Sequence, residues 1–390
     1  MSSLFAEVER FIKTVYQGEP VVLHRPVFGG NEKDYLIECI DSNFVSSVGE
    51  RVDEFEKRIA AYTGVTYAIA AVNGTAALHI ALKLAGVTAD SEVVTQALTF
   101  VATCNAVSYL GARPVFVDVD RGTLGMCPEA LRRFLDTCTH RRDGSIWNKE
   151  SGRRIAACVP MHTFGHPCRI DELAAVCADY GLPLVEDSAE SLGSSFRRRH
   201  TGTFGLMGVI SFNGNKIITT GGGGMIVTND AAVAAKAKHI TTTAKLPHPY
   251  EYVHDEVGYN YRLPNLNAAL GCAQMEQLEH FVSVKRELAA KYAEFFEDLR
   301  IMFVREPEGC SSNYWLNALV LESLQERDAF LEHTNRHGVM TRPAWRLMSR
   351  LPMFKDSQND GLRNSIWLEQ RLVNIPSCVP MTACAAKRID

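Results

Sequence analysis

Residues 66–84 read TYAIAAVNGTAALHIALKL, in which a short apolar stretch is followed by Asn-Gly-Thr and then by an unbroken apolar pattern. We interpret residues 66–72 as a strand and residues 75–84 as the helix that follows it. A strand that turns directly into an apolar helix is typical of the first half of a βαβ unit. This stretch therefore predicts a parallel sheet whose two faces are covered by helices.

The same alternation continues over the first two thirds of the chain. We predict further strands over residues 92–97, 114–119, 155–161, 182–186, 208–212 and 225–228, and helices over 101–110 and 170–180. The segment 136–154 is polar and contains Asp-Gly and Ser-Gly pairs, so we predict a surface hairpin inserted between two units. The fold class expected from this pattern is α/β, with a mostly parallel central sheet.

The pattern changes towards the C-terminus. We predict one long charged helix over residues 270–297, a strand over 315–321, a helix over 324–337 and a short strand over 339–342. These elements indicate a smaller α+β domain. We place the large α/β domain, with an N-terminal arm, in residues 1–270 and the small domain in residues 271–390.

The composition is that of a globular protein, with 46% hydrophobic and 22% charged residues among 390. A formal net charge of −4 argues against a protein that binds nucleic acid through its phosphates. We find no apolar run near the roughly 20 residues of a membrane span, and no secretory signal pattern. Eleven scattered cysteines without a Cys-x-x-Cys pair favour reduced thiols. We therefore expect a cytoplasmic protein that binds neither nucleic acid nor a membrane.

Ligands of open α/β sheets bind beyond the carboxyl ends of the strands, so the residues after each strand are candidates for a site. Asn-Gly-Thr at 73–75 opens a helix with free backbone N–H groups and a hydroxyl, which suits an anion, although an ordinary N-cap with a Gly turn is the better explanation of this motif taken singly. Glu186 and Asp187 form a carboxylate pair at a strand end. Either one of them faces a ligand cation while the other makes structural hydrogen bonds, or both cap the next turn.

Lys216 stands just beyond the strand predicted over 208–212, and four consecutive glycines follow at 221–224. Such a lysine can be a buried nucleophilic amine that forms a Schiff base with a carbonyl compound; the alternative is a surface lysine in a glycine-rich loop. His162 and His166 have i, i+4 spacing. The Phe-Gly and Pro residues around them argue against a helix there, and we predict no metal site.

Five motifs, in order, resemble those of the DegT/DnrJ/StrS-type nucleotide-sugar aminotransferases: Asn-Gly-Thr-Ala-Ala-Leu, Thr-Phe-Val-Ala-Thr, Glu-Asp-Ser-Ala-Glu, Ser-Phe-x-x-x-Lys and Gly-x-Asn-x-Arg. The resemblance runs from about residue 27 into the C-terminal domain. It implies the aspartate aminotransferase type of fold and the cofactor pyridoxal 5′-phosphate (PLP), which alternates with pyridoxamine 5′-phosphate. The stretches 159–167 and 341–345 and the inserted hairpin resemble the LegC-type members, which act on UDP-linked 4-keto-6-deoxy-N-acetylhexosamines.

The resemblance also implies roles for two central residues. Lys216 corresponds to the lysine that bonds covalently to the cofactor and later moves a proton between cofactor and substrate. Asp187 corresponds to the carboxylate that pairs with the pyridinium nitrogen, so that the ring acts as an electron sink. Glu190 stands where many members carry glutamine near the ring hydroxyl, which changes the local hydrogen bonding.

The remaining cofactor contacts are implied in the same way. Gly74, Thr75 and Ser211 correspond to the residues that bind the phosphate, and Phe100 corresponds to the aromatic residue that stacks on the ring. Asn260 corresponds to a residue that the neighbouring subunit donates to the phosphate, which implies a homodimer with shared sites.

The expected substrates follow from the LegC-type resemblance. We expect transfer of an amino group from L-glutamate to C4 of UDP-2-acetamido-4-keto-2,4,6-trideoxyhexose, a nucleotide-linked keto sugar. His162, Tyr314 and Trp345 are candidate sugar contacts, although core packing explains the aromatic residues as well. The alternatives are a GDP-perosamine-type 4-aminotransferase, a dTDP-3-keto-sugar aminotransferase and a non-catalytic regulator that binds PLP or a nucleotide sugar. The chain lacks the Gly-x-Gly-x-x-Gly motif that a dinucleotide-dependent oxidoreductase would carry after the first strand.

Overall fold

The computed structural model describes residues 2–299 and 301–380, and its helices and strands alternate over most of that length. The helices are α1 (Ser2–Val15), α2 (Glu32–Asp41), α3 (Glu50–Thr63), α4 (Gly74–Leu84), α5 (Val101–Tyr109), α6 (Pro128–Cys138), α7 (Ile170–Tyr180), α8 (Ala231–Thr241), α9 (Asn265–Met275), α10 (Leu278–Glu297), α11 (Leu324–Arg336) and α12 (Arg363–Glu369). The strands are β1 (Tyr67–Ala71), β2 (Ser91–Gln96), β3 (Arg113–Val117), β4 (Thr139–Arg142), β5 (Ser145–Asn148), β6 (Arg154–Val159), β7 (Val185–Asp187), β8 (Ser195–Phe196), β9 (Arg199–His200), β10 (Met207–Ser211), β11 (Gly224–Thr228), β12 (Met302–Phe303), β13 (Cys310–Ser311), β14 (Asn317–Val320), β15 (Arg342–Pro343) and β16 (Leu372–Ile375).

The central sheet consists of two hydrogen-bonded sets of strands, β1-β11-β10-β7 and β3-β2-β6-β5-β4. Two parallel bridges, from Cys158 to Leu184 and from Met161 to Asp187, join β6 to β7. The strands that carry the site therefore lie in the order β3-β2-β6-β7-β10-β11-β1. Within these seven, β11 is the antiparallel member. The prediction of a mostly parallel α/β sheet is confirmed.

Apolar helices cover both faces of this sheet. On one face α4 is buried through Ile80 and its neighbours against Val93 and Val209. On the other face Phe55 and Ile59 of α3 pack with apolar residues of α9, β1 and β11. Full burial of one such aliphatic side chain contributes about 1.5–3 kcal/mol, so the two layers hold the strand ends firmly in place.

The predicted surface hairpin is present as β4 and β5, and it also extends the sheet. Its turn places Asp143 and Gly144 at φ 50° and 71°, the left-handed conformation that a tight two-residue hairpin turn requires. β5 pairs with the first half of β6 through Ile146 and Trp147, whereas the second half of β6 faces β7. The inserted hairpin thus lies beside the amino-terminal half of β6 and does not reach the carboxyl ends of the strands, where the site is expected.

The prediction of a single helix over residues 270–297 is wrong. The chain forms two helices, α9 and α10, with a break at Glu276 and Gln277. Both side chains at the break are held by the N-terminal segment. The Glu276 carboxylate accepts from the Tyr35 hydroxyl at 2.7 Å and from the Asn31 amide at 2.8 Å, and Gln277 donates to Glu32 at 2.6 Å. These long-range bonds outweigh the helical periodicity of the local sequence.

Two short strands also differ from their predicted bounds. The strand predicted over 182–186 is β7, Val185–Asp187, which starts later because Pro183 has no N–H to donate to a ladder. In the segment predicted as a strand over 339–342, Val339 forms a single parallel bridge with Val21, and the regular strand begins at Arg342. The corresponding antiparallel sheet has the order β12-β14-β16-β15.

The N-terminal helix α1 packs with the C-terminal elements. Its apolar side chains Phe5 and Ile12 lie in one buried cluster with Tyr292 of α10 and Phe330 of α11. The boundary predicted between residues 270 and 271 falls inside α9, and the two-domain division remains a prediction. Residues 381–390 of the predicted small domain, with Cys384, lie outside the described residues, and the ten described cysteines are free.

Lys285 of α10 is an unusual core residue, since it is 1% exposed. Its Nζ donates to the carbonyl oxygen of Trp315 at 3.1 Å and to that of Ser377. Burial lowers the pKa of Lys285 to about 7. A neutral amine has two N–H bonds, and each of them finds one of these carbonyl groups.

Replacing Lys285 by methionine is expected to flatten the pH dependence of stability. An unfolded lysine stays protonated up to about pH 10.4, whereas buried Lys285 loses its proton near pH 7. The unfolded state therefore binds more protons between these pH values. The free energy of unfolding of the wild type rises with pH over this range, because removing the proton of Lys285 on folding costs less at higher pH. We would measure unfolding midpoints in urea from about pH 7 to 9. The Lys291→Met control, an exposed lysine on the same helix, should keep the slope, and an unchanged slope in Lys285→Met would contradict the assignment.

Candidate active site

A cavity of about 310 Å³ opens at the carboxyl ends of the central strands. The sequence-predicted residues that line it are Gly74, Thr75, Phe100, Asp187, Glu190, Ser211, Lys216 and Trp345. Residues that we did not predict also line it, among them Asn73, Met161, Asn215 and Trp315. The folded chain therefore gathers most of the candidate residues at one place, although they span more than 270 positions of sequence.

One wall of the cavity is the N-terminus of α4. Asn73 caps this helix, its Oδ1 accepting from the N–H of Ala76 at 2.8 Å. Gly74 lets the end of β10 come close, because a Cβ at this position would lie 2.9 Å from the Cβ of Ser211. Backbone N–H groups of the first helical turn, together with the hydroxyls of Thr75 and Ser211, form an anion-binding cradle.

The floor of the cavity carries the Asp187 carboxylate, which is 3% exposed. Its Oδ2 accepts from the Thr103 hydroxyl at 2.7 Å, and its Oδ1 accepts from the N–H of Ala189 at 3.2 Å. Burial raises the pKa of Asp187, and these two hydrogen bonds oppose the rise. A buried carboxylate that faces a cavity is stabilised by a cationic ligand group, which supplies the missing counter-charge.

The neighbouring carboxylate, Glu186, has a structural role. Its oxygens accept from the backbone N–H groups of Gly202 and Gly205 at 2.8 Å and of Phe204 at 2.5 Å. The ring of His162 lies 3.1 Å from the same carboxylate. The structure thus follows the first of the two arrangements predicted for the carboxylate pair, in which only Asp187 faces the cavity.

Lys216 lies inside the cavity wall, with a side chain that is 11% exposed. Its Nζ donates to Oε1 of Glu190 at 3.2 Å and lies 4.0 Å from the centre of the Trp315 ring. The Trp315 ring is fixed in turn, because its Nε1 donates to the carbonyl of Asn215 at 2.6 Å. This position is that of a held, buried amine, so the alternative of a surface lysine does not apply.

Glu190 is the second titratable group at Lys216. Its Oε2 accepts from the N–H of Phe164 at 3.0 Å. Burial raises the pKa of Glu190 to about 7, although the nearby Lys216 charge acts in the opposite direction. The carboxyl group can therefore hold or release a proton near neutral pH, which the glutamine of many family members cannot do.

Phe100 presents an aromatic face to the cavity from the N-terminus of α5. The side chain is 48% exposed, and its ring centre lies 6.2 Å from that of Trp345. A ring that is this accessible in the cavity wall can stack on a flat ligand.

Replacing Phe100 by alanine is expected to weaken cofactor retention by about 2- to 12-fold, since an aromatic stacking pair contributes about 0.5–1.5 kcal/mol. Phe100→Tyr keeps the ring and is the matched control. We would measure the PLP remaining after dialysis and titrate it back by absorbance. Equal retention by the alanine and tyrosine variants would show that Phe100 does not stack on the cofactor.

Three predicted residues lie outside the cavity. His162 is fully buried, and its Nδ1 accepts from the N–H of Cys168 at 3.2 Å. Tyr314 is 7% exposed, and its hydroxyl accepts from the N–H of Glu306. These positions favour structural roles for His162 and core packing for Tyr314. Asn260 is exposed and accepts from Arg262 at 3.1 Å.

Trp315 is the main site residue that sequence reasoning missed. We predicted it as the first residue of a strand over 315–321, and a tryptophan at that place looks like core packing. The strand begins only at Asn317. The contact with Lys216 joins segments about 100 residues apart, and no local pattern signals it.

Comparison with known proteins decides the family. The sequence model of the DegT/DnrJ/EryC1/StrS aminotransferase family matches residues 27–389. The chain belongs to this family. EpsN of Bacillus subtilis (strain 168), named as a pyridoxal phosphate-dependent aminotransferase, is 37% identical over 335 residues, 86% of this chain and 84% of EpsN.

Other relatives agree with this membership. The GDP-perosamine synthase of Escherichia coli O157:H7 is 34% identical over 359 residues, 92% of this chain and 93% of that protein. Among solved structures, the aminotransferase TlmJ from Streptoalloteichus hindustanus superimposes with a TM-score of 0.83 at 26% identity, covering 92% of this chain and 93% of TlmJ. The fold is thus that of the PLP-dependent transferases, as predicted.

This aminotransferase is a PLP-dependent enzyme that acts on sugars, which confirms the predicted enzyme class and cofactor. Its residues fit the cofactor. The α4 cradle suits a phosphate, buried Asp187 suits a protonated ring nitrogen, and the amine of Lys216 in the same cavity suits covalent attachment. Within the described residues, the helices are too short or too polar to cross a membrane.

Proposed function

We propose that this aminotransferase moves an amino group from L-glutamate to C4 of a nucleotide-linked 4-keto-6-deoxy sugar, UDP-2-acetamido-4-keto-2,4,6-trideoxyhexose. The observation that carries the reaction type is the position of Lys216, a largely buried amine that lies between Glu190 and Trp315 and lines the same cavity as the Asp187 carboxylate. The sugar is proposed from the LegC-type sequence features at 159–167 and 341–345. The GDP-perosamine synthases among the relatives support C4 chemistry and keep GDP-perosamine formation as the alternative.

In this proposal, different residues of the chain bind the cofactor ring, move the proton and hold the amine in position. PLP, when bound, supplies the electron sink for removing a proton from the carbon that carries the donor's amine. Asp187 keeps the ring nitrogen protonated, and Thr103 holds Asp187 in place. Lys216, once the donor amine has displaced it, holds and moves the proton. Trp315 and Glu190 fix the amine in one position, so the donor and the keto sugar meet the same base.

The functional unit that we propose is a homodimer. Exposed large hydrophobic side chains cluster between residues 28 and 48, among them Phe28, Ile40, Phe44 and Val48. This concentration of exposed apolar side chains in one segment supports an interaction surface there. We also propose that exposed Asn260 completes the phosphate site of the neighbouring subunit, because it lies outside its own subunit's cavity.

The test has two stages. The visible spectrum of the purified enzyme is recorded before and after L-glutamate, and we expect a yellow protein that bleaches. Keto sugars linked to UDP, GDP and dTDP are then assayed side by side, with the amine position of each product determined by NMR. Preference for the UDP-linked N-acetyl sugar supports the proposal, and preference for the GDP sugar replaces it with perosamine formation. A protein that cannot be loaded with PLP would favour the non-catalytic regulator.

A further inference from the structure

Three side chains of the types that bind metals meet where α1 packs on α11, and none of them lines the cofactor cavity. They are Glu9 of α1, His333 of α11 and His337, which directly follows α11. One ligand atom of each lies within 4.8 Å of the other two. We propose that Glu9, His333 and His337 form a zinc site that fastens α1 to α11.

The helix geometry brings the two imidazoles together. Residues four apart lie on the same face of a helix, and the ring centres of His333 and His337 are 4.3 Å apart. Oε2 of Glu9 lies 3.1 Å from Nε2 of His333 and 3.8 Å from Nδ1 of His337. Ligand atoms of a tetrahedral zinc with bonds of about 2.0–2.2 Å are about 3.3 Å apart. The three side chains therefore need only small shifts to reach a shared ion.

The surroundings orient the carboxylate. Its second oxygen, Oε1 of Glu9, accepts from Nζ of Lys13 at 2.7 Å, which leaves Oε2 to face the imidazoles. Such an outer hydrogen bond is common around metal ligands. Nδ1 of His337 also lies 2.7 Å from the carbonyl oxygen of His333, and metal binding through this nitrogen replaces that bond.

Solvent reaches the cluster from one side. The His337 side chain is 50% exposed, whereas those of His333 and Glu9 are 20% and 15% exposed. Zinc with three protein ligands keeps a fourth position for water, and the exposed side provides it. Two imidazoles, one carboxylate and one water are a ligand set that zinc accepts, and no thiol is needed.

The site would join distant parts of the chain. Glu9 lies before residue 27, where the family match begins, and the two histidines follow more than 320 residues later. Binding would close this long loop and add stability to the apolar contacts that α1 already makes with α11. The His-x-x-x-His spacing was visible in the helix predicted over 324–337, but the partner Glu9 was not.

A second cluster provides a matched control. His239, Asp255 and Glu256 also place ligand atoms within 4.8 Å of one another. This cluster has a single imidazole and two carboxylates, whereas the proposed zinc site has two imidazoles and one carboxylate. We therefore expect it to bind zinc weakly.

The experiment uses the full-length, PLP-loaded enzyme after dialysis against a chelator. Calorimetric titration with Zn²⁺ should show one tight site per chain. The variants His337→Gln and Glu9→Gln should lower the affinity by at least about 100-fold, while His239→Gln leaves it unchanged. Zn²⁺ should raise the unfolding temperature of the wild type and of His239→Gln, and this rise should be lost in the other two variants.

Cobalt identifies the ligand type. Co²⁺ in place of zinc should give visible ligand-field bands without the near-ultraviolet charge-transfer band of a thiolate ligand. A thiolate band would move the metal to a cysteine, and tight zinc binding that survives in both His337→Gln and Glu9→Gln would move it to other residues; either result would overturn the proposal. Absence of zinc binding would overturn it as well. Bleaching by L-glutamate should be the same in all variants, because the cluster lies outside the active site.

Discussion

Replacing Lys216 by alanine is expected to abolish transamination, lowering kcat/KM by at least about 10⁴-fold. Among the described residues that line the cavity, Lys216 is the one amine. The proposed mechanism gives it two tasks, covalent attachment of the cofactor and movement of the proton, and alanine can perform neither. Glu190, 3.2 Å from the amine, cannot replace it, because a carboxyl group does not form a Schiff base.

The Lys216 prediction is checked by the visible spectrum and by steady-state assay. Lys216→Arg keeps the positive charge but forms no Schiff base, so it should be as inactive as the alanine variant. Lys291→Ala, which changes an exposed lysine, should behave as the wild type. Turnover by Lys216→Ala within 100-fold of the wild type would remove this lysine from the mechanism.

Replacing Asp187 by asparagine is expected to lower kcat by about 10³-fold, because a preorganised charge at the reacting group contributes on this scale. The amide has nearly the same shape as the carboxylate but does not keep the ring nitrogen protonated. The electron sink is thereby lost, although the cradle at α4 and Lys216 still hold the cofactor. KM for L-glutamate should change much less than kcat.

A variant of Thr103, which bonds to Asp187, separates the effect of the Asp187 charge from the effect of its position. Thr103→Val deletes the 2.7 Å hydrogen bond to Asp187 and leaves the carboxylate in place, so its loss in kcat should be far smaller than that of Asp187→Asn. Single-turnover rates with L-glutamate measure this half-reaction directly. Equal rates for Asp187→Asn and the wild type would show that the carboxylate does not act on the cofactor.

Local sequence patterns were sufficient for the parts of the fold with strong periodicity. The β1–α4 unit and α7 follow their predicted bounds within one residue, because β1 and α4 are almost entirely buried and α7 buries one regular apolar face. The break at Glu276 and Gln277 could not be predicted, since its cause is hydrogen bonding to residues about 240 positions earlier. Packing of α1 on α11 likewise depends on contacts across almost the whole chain.

The same distinction applies to the site. Residues at or just beyond the carboxyl ends of strands, such as Asp187, Ser211 and Lys216, could be predicted, because parallel strands bring these ends to one edge. Trp315 comes from outside the large sheet, so strand order gives no information about it. His162 also follows a strand, but its ring is bonded to Glu186 behind the cavity wall, and sequence does not show on which side of a turn a side chain lies.

The inserted hairpin has a consequence for how separate molecules behave towards one another. β4 is paired with β5 on one side, and within the described residues no strand pairs with its other side. The unpaired backbone donors and acceptors of such an edge strand can pair with a strand of a second molecule, which is a route to aggregation. On this edge strand His140, Arg141 and Arg142 are exposed. Pairing of two such edge strands would bring the arginines of both molecules close together. The repulsion between their positive charges therefore opposes strand pairing between molecules.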